Sequence, residues 1–164
     1  MQNRLSLISF LMIPILFLWN PSLLSLMGFQ PYWPIFWILP WAIIYGPING
    51  IIIGLFLGII LDSIANDICT QIPGLIVCGF WFGKLGAMRK DHFTAFQYGL
   101  VASLGSLICG FVYFLQLVYQ SIQYQNNYWL ISYGIQNITA QVFLTGLFAP
   151  VFCSWLFMLF NKKK

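Results

Sequence analysis

Between residues 46 and 67 the chain reads GPINGIIIGLFLGIILDSIAND, an apolar run in which Gly50, Gly54, Gly58, Asp62 and Asn66 recur at every fourth position. At about 3.6 residues per turn, this spacing lines three glycines, a carboxylate and an amide along one slowly coiling helix face. Isoleucines, leucines and Phe56 cover the rest of that helix. Such a helix suits apolar surroundings on most sides and a closely approaching protein surface on one.

The surroundings follow from the shortage of charge. Only 6% of the 164 residues are charged and 60% are hydrophobic, with a mean hydropathy of +0.86. A soluble domain carries about 25% charged residues. The expectation is an all-α polytopic membrane protein forming a single domain. Six apolar segments are read as transmembrane helices: 5–27, 32–45, 48–66, 72–85, 97–119 and 134–160.

Proline marks several breaks. Pro14 is expected to kink the first segment, which is read as an uncleaved helix. Tyr32, Trp33 and Trp37 are the amphipathic aromatics expected at headgroup depth. The 32–45 segment is short and carries Pro40, so a tilted or partly non-helical crossing is expected there. Gly46-Pro47 forms a tight turn into the glycine helix. Asp62 then lies roughly 22 Å along that helix, still within a hydrocarbon core of about 30 Å. Further small-residue ladders appear at Gly79 and Gly83, and at Ala102, Ser106 and Gly110. The uncharged stretch 121–133 reads as a loop, and Ala149-Pro150 as an interruption of the last segment.

Charge sets the expected orientation. Arg4, the group Lys84, Arg89 and Lys90, and the tail Lys162–Lys164 hold all seven basic residues. Six crossings place them on one face, which the positive-inside rule assigns to the cytoplasm, with both termini there. Basic clusters this small read as topology anchors on anionic lipid, not as a nucleic-acid surface.

No catalytic constellation is expected. Asp62 and Asp67 are five residues apart and diverge on a helix. His92 is the only histidine, and Cys69, Cys78, Cys109 and Cys153 have no metal-ligand spacing. No catalytic residue, cofactor or metal is assigned. Cys69, beside an outer loop, is the cysteine with a route to reactivity; the other three sit in apolar runs. Asp62 leaves two readings open, a carboxylate tied down within the bundle or a contact for a partner. The glycines likewise serve helix packing or partner contact.

The run Gly46-Pro47-x-x-Gly50, Gly54, Gly58, Leu61-Asp62 and Gly74 resembles the central signature of the rod shape-determining MreD family. The span 39–86 and the phrases Gln97-Tyr98-Gly99 and Ala149-Pro150 most resemble its cyanobacterial branch. Tyr45 stands where many members carry arginine, and the loop after Asp62 is less glycine-rich than usual. The resemblance implies a non-catalytic component of the bacterial cell-elongation (rod) complex in the cytoplasmic (inner) membrane. It implies an MreC-type partner and, indirectly, the MreB filament and the elongation peptidoglycan polymerase and transpeptidase. It also implies a six-helix fold similar to the substrate-binding (S) components of energy-coupling-factor transporters. That similarity opens a second function class, the substrate-binding membrane subunit of a vitamin importer, against which stands the small number of polar groups available to line a site.

Overall fold

The computed structural model describes residues 31–65, 69–88, 94–123 and 128–161, and among them the chain is all-helical. Five helices follow in order: α1 (Trp33–Tyr45), α2 (Pro47–Ala65), α3 (Ile72–Met88), α4 (Ala95–Gln123) and α5 (Tyr128–Asn161). The expected first segment, 5–27, lies outside the described residues, as do Asn66, Asp67, His92 and every basic residue except Lys84.

Among the described residues, three helices are long and apolar enough to cross a membrane: Pro47–Ile64, Phe96–Ile122 and Ser132–Trp155. Their outward faces carry large apolar side chains, among them Ile48, Ile52, Phe56, Leu100, Leu104, Phe143, Leu147 and Val151. In water such a surface would drive aggregation; in lipid it is the surface required. These spans are the mark of a membrane protein.

The remaining two helices are shorter. α1 has 13 residues and α3 has 17, about 20 and 26 Å at 1.5 Å per residue. α1 is regular helix despite Pro40, where the sequence suggested partial irregularity. Its Ile35, Phe36, Ile38, Leu39 and Ala42 are fully buried, or nearly so. The helix is enclosed because it packs against all four others. Trp37 packs into this core.

Around α1 stand two antiparallel pairs, α2 with α3 and α4 with α5, joined along a seam between α3 and α4. The first pair begins at Gly46, whose φ of +90° is a conformation that glycine adopts without strain. Its N–H caps α1 by donating to the Ala42 carbonyl at 2.9 Å. Pro47 then opens α2 at a position where its missing N–H costs nothing.

Two expected breaks are absent. α4 runs to Gln123 and α5 starts at Tyr128, so most of the 121–133 stretch is helical. That stretch is polar but has neither proline nor glycine, and polarity alone does not end a helix. α5 also continues through Pro150. Gly99 of α4 lies against the Pro150 ring, so a residue without a side chain makes room for it.

Candidate functional site

The small-residue ladders meet each other. A Cβ added at Gly50 would stand on the carbonyl oxygen of Gly79, and one at Gly79 on that of Gly50. At Gly54 a Cβ would lie 2.5 Å from the Leu75 carbonyl oxygen, and at Gly58 2.8 Å from the Ile72 Cα. Gly83 faces the Pro47 backbone in the same way. The glycine face of α2 is therefore covered along its length by α3. Close backbone approach of this kind maximises dispersion contacts, the main attraction between helices when lipid removes the hydrophobic one.

Asp62 stands at the far end of this seam. Its Oδ1 accepts a hydrogen bond from the Gln71 backbone N–H at 2.8 Å. Gln71 immediately precedes α3, so the carboxylate faces the positive end of that helix dipole. This gives a physical reason for an acid at such depth. Oδ2 is buried, with no hydrogen-bond partner among the described residues. Asn66, the last rung of the ladder, lies outside them.

From Asp62 a chain of hydrogen bonds crosses the bundle. The Gln71 side chain accepts at Oε1 from the Tyr32 hydroxyl, at 2.9 Å. The Tyr32 backbone N–H donates to Thr145 Oγ1 at 2.9 Å, and Thr145 donates to the Gln141 carbonyl at 2.6 Å. A second tie is reciprocal: Thr70 N–H donates to Gln116 Oε1 at 2.8 Å, and Gln116 Nε2 returns a bond to the Thr70 carbonyl at 2.9 Å. All five helices are thereby connected at one end of the bundle. Sequence reasoning placed Asp62 and missed its company. Gln116, Gln141 and Thr145 are polar residues inside apolar helices, a signal in itself, but partners 113 positions apart, such as Tyr32 and Thr145, leave no local trace.

The network borders a small polar cavity of about 140 Å³ that Tyr32, Thr70, Gln71, Cys109, Asn137 and Gln141 help to line. Cys78 is within 3.3 Å of Cys109, sulfur to sulfur, and 3.2 Å from the Gly105 carbonyl oxygen. All four cysteines are free and buried, Cys69 included. A larger apolar groove of about 530 Å³ runs between α4 and α5, over Gly99, Ser103 and Gly146. Among the described residues, no three His, Cys, Asp or Glu side chains come together as a metal site.

The two roles of Asp62, acceptor and charge, are separable. Asp62→Ala is expected to destabilise the protein by about 1–3 kcal/mol, because the Gln71 N–H loses its acceptor. Asp62→Asn keeps an oxygen in place and loses only the interaction of the charge with the helix dipole, so it is expected to cost about 0.3–1 kcal/mol. Unfolding in mixed detergent micelles measures both.

Comparison of the chain with protein-family models, curated proteins and solved structures gives no match.

Proposed function

We propose that this chain is a non-catalytic, multi-pass component of the bacterial inner membrane, working in the cell-elongation machinery and binding an MreC-type protein. In this reading the polypeptide crosses the membrane six times, with both termini in the cytoplasm. It serves the MreB filament and the peptidoglycan polymerase and transpeptidase through that partner.

The supporting observation is the coincidence of the signature with one structural unit. Gly46 makes the positive-φ turn, Gly50, Gly54 and Gly58 form the α2–α3 seam, and Asp62 holds the start of α3. Residues that resemble a family pattern thus each have a geometric task in a single hairpin. In this reading the glycine face is taken up by α3, and the partner is met elsewhere on the molecule.

Depletion tests the proposal in the source bacterium. Elongated cells are expected to become round, and the purified protein is expected to bring down an MreC homologue. Normal shape after complete loss would sink the reading. A vitamin retained tightly through purification would favour the importer subunit instead. Asp62→Ala should impair shape more than Asp67→Ala. If Asp62→Asn preserves shape, the carboxylate acts through the hairpin; rounding with Asp62→Asn would assign its charge to a partner.

A further inference from the structure

The polar cavity raises a question that a scaffold does not answer. Cys109 and Gly110 on its wall lie at the middle of the Phe96–Ile122 span, so the cavity reaches the depth of the hydrocarbon core. Tyr32, Gln71, Asn137 and Gln141 nonetheless bring polar groups into it from three parts of the fold.

Most of those groups make no hydrogen bond among the described residues. The Gln71 carbonyl oxygen accepts from Tyr32, but its amide N–H groups make no hydrogen bond among the described residues. The side-chain amides of Asn137 and Gln141 make none with described residues at either end. Each primary amide supplies two donors and an acceptor. All three residues are part-buried, so their amides present donors and acceptors to whatever enters the cavity. Three such amides converging on one void are the makings of a polar binding site.

The lining also limits what that occupant is. Tyr, Thr, Gln, Asn and Cys supply its polarity, with no charged side chain among the lining residues. An anion would enter against the Asp62 carboxylate, which is hydrogen-bonded to Gln71 at the cavity's edge, and a cation would find no opposite charge on the described wall itself. Donors and acceptors are mixed, so the occupant carries both. At about 30 Å³ for each water, the volume holds roughly four or five waters. A hydroxyl is donor and acceptor at one atom, so a compact polyol satisfies most groups in that space.

We propose that this cavity binds a small neutral polyol, either free or as the polyol part of a lipid headgroup, held by Gln71, Asn137 and Gln141. The inference does not rest on the rod-complex reading, which survives its failure.

Saturation-transfer NMR on the purified full chain tests it, with glycerol and ethylene glycol as probes and acetate and methylammonium as charged controls. The neutral probes are expected to bind and the ions not to. Gln141→Leu and Asn137→Leu are each expected to weaken binding at least about tenfold while retaining wild-type thermal unfolding, since each removes an amide with no hydrogen bond among the described residues. Should a leucine variant fail to fold, Gln141→Met replaces it with a flexible side chain of similar length. A lipid with a glycerol headgroup retained through purification and displaced by the probes identifies the lipid source; binding of the free probes to lipid-stripped protein with no retained lipid identifies the free one. Wild-type protein that binds neither neutral probe holds water only, and the proposal falls. It falls equally if the folded variants bind as wild type does, or if the ions bind as well as the polyols.

Discussion

Gly50→Leu is expected to leave no folded protein. The first atom of any side chain there meets the Gly79 carbonyl oxygen, which belongs to a helix backbone and cannot rotate aside. Overpacking a core ordinarily costs about 1–3 kcal/mol because side chains shift rotamer. Here only movement of a whole helix relieves the clash. Separating α2 from α3 also breaks the contacts at Gly54, Gly58 and Gly83, because all belong to one seam. Even Gly50→Ala is expected to cost about 3 kcal/mol, the upper end of the ordinary range. Size-exclusion profiles in detergent and mixed-micelle unfolding distinguish the two variants. A monodisperse Gly50→Leu protein with wild-type stability would show that the seam is not closed as described.

Phe82→Ala is expected to give the next largest loss. Phe82 is fully buried, and its ring sits over Gly105, where a Cβ would collide with it. It is a knob from α3 seated in a hole on α4, across the seam between the two helix pairs. In water-soluble cores, Phe→Ala costs about 3–5 kcal/mol, combining lost transfer energy with a cavity. Lipid tails are as apolar as the side chain, so much of the transfer part disappears. The packing part remains, and about 2–3 kcal/mol is expected. Phe82→Ala/Gly105→Leu partly refills the void from the other side, so the double variant should lose less than the sum of the singles. A double-mutant cycle in mixed micelles measures this coupling, and simple additivity would argue against the knob and its hole.

The sequence made some of this architecture legible and left other parts obscure for physical reasons. Four-residue spacing identified the contacting face of α2, because helix geometry maps spacing onto direction. It did not identify α3 as the surface that covers it, since complementarity between two ladders is not written in either one. Pro150 pointed to a break that Gly99 removes by making room, and the break was unpredictable without knowing that the two meet. The burial of Trp37 within the bundle was not legible either, because the neighbours that enclose α1 come from all along the chain. The polar cavity was least visible. Its walls come from separate regions of the chain, and Gln71 and Gln141 look ordinary until the fold brings them within reach of Tyr32 and its hydrogen-bond chain.

The brevity of α1 has a consequence for how the protein is made. A helix of about 20 Å does not by itself bridge a hydrocarbon core of about 30 Å. α2, α4 and α5 have the length and apolarity to partition into the bilayer one at a time as they leave the ribosome. α1 emerges before them and finds its full set of neighbours only after α5 is synthesised. Its burial therefore belongs to the closing stage of biogenesis, and a chain truncated before α5 should reach the membrane with that centre still unassembled.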